Sequence, residues 1–136
     1  MDLKSALRKV GLAKVEFGPG DVCIVKDGVI RFPDDEENRK YHPTRSVIIL
    51  SNNFLSTTIT YPLVTIAPTS HVLKWKNAAE IVVSPTDANG LTYESRIMLG
   101  HIQPLIKTDI EKKIGELSFD DWENLMERVV KNFDRV

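Results

Sequence analysis

Two short apolar runs joined by a polar connection decide the fold of this chain. They lie in the stretches HPTRSVIILSNN (residues 42–53) and PLVTIAPTS (residues 62–70). The runs themselves, residues 47–50 and 63–67, are short and rich in β-branched side chains, which is typical of buried strands. We predict that both are central strands of one sheet.

Three polar side chains lie where these strands begin and end. Arg45 is at the entry to the first run, and Thr69 and Ser70 are at the exit of the second. If the two strands pair in antiparallel fashion, the entry of one lies beside the exit of the other. One guanidinium and two hydroxyl groups would then share one end of a sheet, an arrangement suited to binding a phosphodiester.

The composition is that of one globular domain of ordinary size. The chain has 136 residues, of which 42% are hydrophobic and 27% are charged, and this is enough to bury a core. No apolar run approaches the roughly 18 residues of a membrane span, and the charged N-terminal segment does not resemble a signal peptide. The single Cys23 excludes an internal disulfide and is expected to be a buried core residue. We therefore expect a cytoplasmic protein that forms a single domain over residues 1–136, without contact with a membrane.

The formal net charge of −1 argues mildly against a nucleic-acid partner, because neutralisation of phosphates drives such binding. The charges are unevenly distributed, however. Residues 1–107 carry 13 basic and 11 acidic residues, whereas residues 108–136 carry five basic and eight acidic residues. The part of the chain that contains the predicted sheet is slightly basic, which permits a small RNA site.

The segments before the two central strands predict a short helix and a hairpin. Residues 2–10 have apolar side chains at helical spacing and belong to an N-terminal extension, residues 1–17. Residues 22–25 are predicted to form a first strand. The dipeptide DG at 27–28 is a two-residue hairpin signal that leads to a predicted strand at residues 29–32.

Two polar stretches have less regular patterns. Residues 33–41 are too polar for a core and are expected to form a solvated loop. Residues 71–80 alternate apolar and polar side chains around Trp75, which predicts a further strand with Lys74 and Lys76 on its opposite face. An aromatic residue with interleaved lysines can stack a nucleobase, although a core tryptophan with solvated neighbours has the same pattern.

The rest of the chain predicts further strands followed by helices. The strands are expected at residues 81–83, 91–99 and 102–105. Thr108 and Glu111 form a capping-box pattern that predicts a helix of one or two turns, and Ser118 is the predicted cap of a longer helix. The longer helix has an apolar stripe that indicates packing rather than function. Its members are Trp122, Leu125, Met126, Val129, Val130 and Phe133. The predicted α+β architecture is a small curled sheet over residues 20–107, closed by helices over residues 108–134.

The sequence lacks the signatures of most enzymes. It contains no P-loop, no GxSxG, no HExxH and no Cys/His metal spacing. Catalysis would therefore depend on Arg, Ser, Thr and His side chains, without a metal or another cofactor. RNA cleavage can proceed with such groups, because the ribose 2′-hydroxyl supplies the nucleophile and an arginine can stabilise the charged phosphorane.

Five segments resemble, in the right order, those of the MazF/PemK (Kid) toxin family. They are GDV (20–22), RSVIILSNN (45–53), TIAPTS (65–70), GLTYESRIMLGHIQPL (90–105) and IEKKIGELS (110–118). The resemblance covers about residues 20–133. It implies an α+β fold built on the small SH3-like β-barrel of the MazF, PemK and CcdB toxins, with a C-terminal amphipathic helix, in a homodimer.

The same resemblance implies an activity and partners. Members of the family are endoribonucleases that cleave single-stranded mRNA without metal and leave a 2′,3′-cyclic phosphate and a 5′-hydroxyl. A cognate antitoxin whose disordered tail folds on binding would neutralise such a toxin.

The resemblance also assigns candidate catalytic residues. Arg45 aligns with the family's catalytic arginine. Ser70 aligns with the catalytic threonine if the APTS segment is matched from its proline, and Thr69 aligns with it if one residue is deleted. The aspartate and arginine that act as acid or base in the Kid branch fall on Gly100 and Met98, so another group would have to move the protons.

Histidines are the candidates for this proton transfer, because imidazole changes charge near neutral pH. His42, just before the first central strand, is the first candidate for a catalytic role. His71 and His101 are expected to contact RNA, together with Lys74 and Lys76. Each histidine also has an ordinary interpretation as a surface or hydrogen-bonded structural residue.

Two other functions fit the same fold. A CcdB-like toxin would poison DNA gyrase without catalysis, through its long C-terminal helix, and would not need Arg45. A degenerate member of the family would keep the fold as a binding module, which the missing acid/base pair and the acidic residues 34–37 favour. Dependence of RNA cleavage on Arg45 separates the ribonuclease from both alternatives.

Overall fold

The computed structural model describes residues 17–32, 43–52, 61–75 and 77–134. In these ranges the chain forms seven strands and one α-helix. The strands are β1 (Asp21–Lys26), β2 (Thr44–Ile49), β3 (Leu63–Ser70), β4 (Ile81–Val83), β5 (Ser95–Ile97), β6 (Gln103–Ile106) and β7 (Ile110–Glu116), and the helix is α1 (Phe119–Asn132). The helix predicted at residues 2–10 and the loop predicted at residues 33–41 lie outside the described residues.

The strands form one antiparallel sheet in the order β4-β5-β3-β2-β1-β7, and β6 pairs with β3. β3 has two partners along one edge, because its residues 63–66 pair with β6 and Thr69 and Ser70 pair with β5. β2 runs along the other edge, with Val47 opposite Pro68. In the described ranges the sheet therefore branches at β3 and does not close on itself, which is consistent with a barrel-like fold. The predicted α+β fold and the antiparallel pairing of the two central strands are confirmed.

Both faces of the sheet are buried, as the continuous apolar runs of β2 and β3 predict. Successive residues of a strand face opposite sides, so Val47 and Ile49 enter one core while Ile48 enters the other. The first core consists of Phe17, Cys23, Val25, Ile30, Val47, Ile49, Val64, Ile66, Leu105 and Ile110. The second core consists of Val22, Ile48, Ala67, Val83, Leu91, Ile97, Leu99, Leu117 and Leu125.

Helix α1 packs against the second core. Ser118 is its N-cap as predicted, and the Ser118 Oγ atom accepts a hydrogen bond from the backbone N–H of Asp121 at 3.1 Å. Four members of the predicted stripe pack on this core, namely Trp122, Leu125, Met126 and Val129. Val130 and Phe133 were wrongly assigned to it and are 65% and 73% exposed, because Val130 is rotated by about 140° from Leu125 and Phe133 lies past the last helical residue. In the described ranges, no helix has the length and hydropathy needed to span a membrane.

The hairpin predicted at residues 27–28 is wrong. Asp27–Val29 form a 3₁₀ turn, in which the Ile30 N–H donates to the Asp27 carbonyl at 3.2 Å. The Asp27 side chain is buried and paired with Arg45, so this residue cannot occupy an exposed turn. The chain then leads Ile30 into the first core, while β1 pairs with β2 and β7 instead.

The strand predicted at residues 71–80 is also wrong. A 3₁₀ turn, Leu73–Trp75, follows β3. The Ser70 Oγ atom accepts a hydrogen bond from the Val72 N–H at 3.1 Å, and this local bond turns the chain away from the sheet. The strands predicted at residues 81–83 and 102–105 are confirmed as β4 and β6, whereas the strand predicted at residues 91–99 is limited to β5.

Residues 110–116 form a strand where the capping-box pattern at Thr108 predicts a helix. β7 pairs with β1 through a ladder that is interrupted by two register shifts. These irregularities let Ile110 enter the first core while Ile114 packs against the second. The capping-box pattern at Thr108 and Glu111 therefore does not begin a helix, because the residues that follow pair with β1. The sheet thus continues to Glu116 rather than ending at residue 107.

Candidate active site

Arg45 is held in one orientation at the start of β2. Its Nε–H donates to Asp27 Oδ1 at 2.7 Å, and its Nη1 donates to the carbonyl oxygen of Thr69 at 2.6 Å. The Cζ atom lies 5.0 Å from the centre of the Phe32 ring, a cation–π contact. The Arg45 side chain is 12% exposed and that of Asp27 only 1%. A guanidinium carries five N–H groups, and Asp27 and the Thr69 carbonyl accept from two of them. The remaining N–H groups can bind an anion at this end of the sheet.

Thr69 and Ser46 form a pair across β2 and β3. Their hydroxyl oxygens are 2.5 Å apart, and Thr69 Oγ1 also donates to the Ser46 carbonyl at 3.1 Å. Thr69 is buried, and it lies opposite Ile97, a member of the second core. The Thr69 hydroxyl is therefore engaged between strands, on the face of the sheet away from Arg45.

Ser70 shares the face of Arg45. The β2–β3 ladder ends with Val47 opposite Pro68. Side chains alternate along each strand, so Arg45 and Ser70, each two residues beyond this pair, project to the side of Val47 and Pro68. The Ser70 Oγ atom accepts a hydrogen bond from the Val72 N–H, so its own hydrogen can be donated to a ligand. The structure thus brings the predicted guanidinium and hydroxyls to one sheet end, with Ser70 beside Arg45 on its face.

His101 is linked to Arg45 by the Phe32 ring, which contacts both side chains. Its half-buried ring is 5.1 Å from the Phe32 ring, which also contacts Arg45. The Gln103 side chain holds the two segments together, because its Nε2 donates to the carbonyls of His101 and Arg31, each at 3.0 Å, and its Oε1 accepts from the Arg31 N–H at 2.9 Å. Gln103 therefore holds the backbone at His101, and the imidazole packs on the Phe32 ring that also contacts Arg45.

The other predicted RNA-binding residues lie around the exit of β3. His71 is exposed, and its ring is 5.3 Å from that of Tyr93. Lys74 is exposed in the 3₁₀ turn that follows. His42 and Lys76 lie outside the described residues.

Two positions lack the side chains that perform acid/base chemistry. Met98 is buried and Gly100 is exposed, and a Cβ atom at Gly100 would meet no other atom within 4 Å. In the described ranges, no three His, Cys, Asp or Glu side chains are grouped so that they could hold a metal ion.

Sequence reasoning missed the residues that support the site. Asp27 had the signature of a turn residue, and Phe32 that of a strand residue. A second buried ion pair joins Arg96, which lies opposite Ser70 on β5, to Glu80, with 3.0 Å between Arg96 Nη1 and Glu80 Oε1. In the part of the chain that is described, the buried Arg96 Nε has no hydrogen-bond partner. An alternating charge pattern cannot reveal such pairs, because their partners are 16 and 18 residues apart.

Cys23 is not part of the site. It lies in β1 within the first core, and burial, with a smaller contribution from the charge of Asp21, raises the pKa of its thiol from 9.0 to about 12. The thiol therefore stays protonated in the folded protein, whereas in the unfolded chain it ionises near pH 9. Stability that depends on the neutral thiol is complete below pH 9 and is lost as the pH rises towards 12.

We expect iodoacetamide at pH 8 to leave Cys23 of the native protein unmodified and to alkylate it fully in denaturant, because only the thiolate reacts. Mass spectrometry after timed labelling measures this. Rapid modification of the native protein would show that the core around β1 is open to solvent.

Residues 28–133 match the family described as PemK-like, MazF-like toxin of type II toxin–antitoxin system. The Mycobacterium tuberculosis toxin MazF-mt6 is similar in structure, with a TM-score of 0.59 and 22% identity over 82% of this chain and 96% of that chain. An endoribonuclease in complex with its cognate antitoxin from Mycobacterial species gives a TM-score of 0.63 with 14% identity, over 86% of this chain and 94% of that chain. The MazE–MazF complex from Deinococcus radiodurans gives 0.62 with 14% identity, over 90% and 98%. None of the curated protein sequences matches this chain.

The structural neighbours establish the fold, and the family match covers most of the chain, including the strands that carry Arg45 and Ser70. The chain belongs to the PemK-like, MazF-like toxins of type II toxin–antitoxin systems.

Proposed function

We propose that this toxin is a metal-independent endoribonuclease that cleaves single-stranded RNA, including mRNA. The observation that carries the proposal is the fixed guanidinium of Arg45, which is anchored by Asp27 and by the carbonyl of Thr69, the residue before Ser70. Membership of the toxin family supports it, and so does the structural similarity to an endoribonuclease that is in complex with its cognate antitoxin.

The reaction needs three contributions from the protein. The ribose 2′-oxygen attacks the adjacent phosphorus, so that the bond from the 2′-oxygen to phosphorus forms and the bond from phosphorus to the 5′-oxygen breaks. Arg45 would bind two phosphate oxygens as the negative charge grows in the phosphorane, and its rigid anchoring means that little reorganisation is needed. Ser70 would donate its hydroxyl hydrogen to the same phosphate. The products are a 2′,3′-cyclic phosphate and a 5′-hydroxyl.

Two protons have to move in this reaction, one from the 2′-hydroxyl and one to the leaving 5′-oxygen. His101 is our candidate for one of these transfers, because its ring packs on the Phe32 ring that Arg45 also contacts. His42, three residues before Arg45, remains the sequence-based candidate for the other. Met98 and Gly100 cannot transfer a proton, because neither carries an ionisable side chain.

We also propose that a cognate antitoxin neutralises the protein, that it acts as a homodimer and that it works in the cytoplasm. Two of the similar structures are complexes of a toxin with an antitoxin. Large apolar side chains on and beside α1, those of Phe119, Val130 and Phe133, are more than 60% exposed, which favours a protein partner.

The test is cleavage of a long RNA in EDTA by the wild type and by two matched variants. Ser70→Ala is expected to lower the cleavage rate roughly tenfold to hundredfold, because it removes one hydrogen bond to a charged group. Thr69→Val is expected to leave the rate unchanged and to lower the stability by about 1 kcal/mol, because it removes the hydroxyl that joins β2 and β3.

The opposite pattern, with Thr69→Val inactive and Ser70→Ala active, would assign the active hydroxyl to Thr69. No cleavage of any long RNA by the wild type would overturn the proposal. Binding of purified DNA gyrase would then separate a CcdB-like gyrase poison from a non-catalytic binding module.

A further inference from the structure

An exposed pair of aromatic rings lies next to the candidate active site. Tyr93 is 62% exposed, and its ring packs at a tilt of 38° against that of His71, with 5.3 Å between their centres. We propose that this pair, the His71–Tyr93 platform, stacks a nucleobase of the RNA next to the phosphate that Arg45 and Ser70 bind. This inference rests on the proposed ribonuclease function and adds a base-binding subsite to it.

The strand register sets the platform beside the phosphate site. Ser70 lies opposite Arg96 in the β3–β5 pair. Because these strands are antiparallel, the chain after Ser70 and the chain before Arg96 leave the sheet at the same end. His71 is the first residue past Ser70, and Tyr93 lies three residues before Arg96. Ser70, at the end of β3, thus lies between Arg45 on the neighbouring strand β2 and the platform on the side of β5.

Two hydrogen bonds anchor the loop that carries Tyr93. The Ser95 hydroxyl donates to the Tyr93 carbonyl at 2.8 Å, and the Ser84 hydroxyl donates to Glu94 Oε1 at 3.2 Å. The backbone at Tyr93 is therefore fixed although its ring is exposed. A solvent-facing ring on a fixed backbone contributes little to the core, but its packing on His71 limits its motion, so it can bind a flat ligand at a low entropic cost.

The surroundings favour a nucleobase over another flat ligand. Bases stack on aromatic side chains while nearby cations bind the phosphates that connect them. Lys74 is exposed three residues after His71, and Arg45 lies on the other side of Ser70. An aromatic platform between a phosphate clamp and a lysine has the composition of a single-stranded RNA groove.

The test measures binding of a non-cleavable 2′-O-methyl oligonucleotide and cleavage of the matching RNA. Tyr93→Ala is expected to weaken binding roughly tenfold or more, whereas Tyr93→Phe keeps the stacking face and should bind like the wild type. Tyr61→Ala is the matched control, because Tyr61 is 42% exposed and lies before the opposite end of β3. The same loss should raise KM for cleavage and leave kcat nearly unchanged.

Three outcomes separate the two proposals. Cleavage by the wild type together with unchanged binding by Tyr93→Ala would overturn the platform and leave the ribonuclease function standing. Binding that is lost only in Tyr93→Ala, without any cleavage by the wild type, would support the platform and overturn the nuclease. Equal loss in Tyr93→Ala and Tyr61→Ala would also overturn the platform, because it would indicate general aromatic adsorption.

Discussion

Exchanging Arg45 for lysine is expected to lower the rate of RNA cleavage about 100- to 1,000-fold while the protein stays folded. Lysine keeps the positive charge that faces the buried Asp27, so the carboxylate is not left alone in the core. It lacks the planar fork, however, and has only three N–H donors on one nitrogen, so it cannot bond Asp27, the Thr69 carbonyl and two phosphate oxygens at the same time. Single-turnover cleavage in EDTA measures the rate, and thermal unfolding measures the fold.

At position 45, replacement by lysine tests catalysis more specifically than replacement by alanine. Arg45→Ala would remove the partner of a carboxylate that is 1% exposed, and its inactivity could then reflect partial unfolding. Arg31→Lys is the matched control, because Arg31 is exposed and lies beside Phe32, while only its backbone is bound by Gln103. If Arg45→Lys cleaves RNA at the wild-type rate, the guanidinium fork is not the phosphate clamp.

The second large effect concerns stability rather than catalysis. Glu80→Met is expected to destabilise the protein by about 3–5 kcal/mol, because it leaves the charge of Arg96 buried without its partner. For a chain of this length, this corresponds to a fall of roughly 10–20 °C in Tm. The pair is nearly inaccessible, with 7% exposure for the Arg96 side chain and 4% for that of Glu80.

The double variant Glu80→Met/Arg96→Met should recover most of this loss, since replacing both members of a buried ion pair with apolar groups is close to neutral. Glu127→Ala removes the exposed ion pair with Lys131 on α1 and should cost less than about 1 kcal/mol. Urea unfolding of the four proteins gives the comparison. A double variant as unstable as Glu80→Met would mean that the charge of Arg96 is not what destabilises the single variant.

The sequence predicts the central part of the fold well, because each apolar run there has only one physical interpretation. The runs in β2 and β3 are too short for helices and apolar on both faces, so they had to be buried strands. Ser118 followed by an amphipathic repeat similarly predicts where α1 begins. Local rules fail where distant contacts dominate. Asp27 is a buried ion-pair partner of Arg45 rather than an exposed turn residue. Residues 110–116 form an irregular strand because they pair with β1, a contact that a local pattern cannot reveal.

The sequence likewise predicts only part of the candidate site. Arg45 and Ser70 could be brought together from the sequence, because antiparallel pairing of two adjacent strands fixes where their ends meet. The contacts of Asp27 and Phe32 with Arg45, and of Tyr93 with His71, could not be predicted, because each of these residues reaches the sheet end by a path that depends on tertiary packing.

The most direct test of the central claim uses an oligonucleotide that spans one mapped cleavage site, with EDTA present throughout. Attack by the ribose 2′-hydroxyl predicts products that end in a 2′,3′-cyclic phosphate and a 5′-hydroxyl. It also predicts no cleavage when a single 2′-deoxy nucleotide stands on the 5′ side of the scissile phosphate, since the nucleophile is then missing. Cleavage of the deoxy-substituted strand, or products with a 5′-phosphate, would contradict attack by the ribose hydroxyl and with it the role assigned to Arg45.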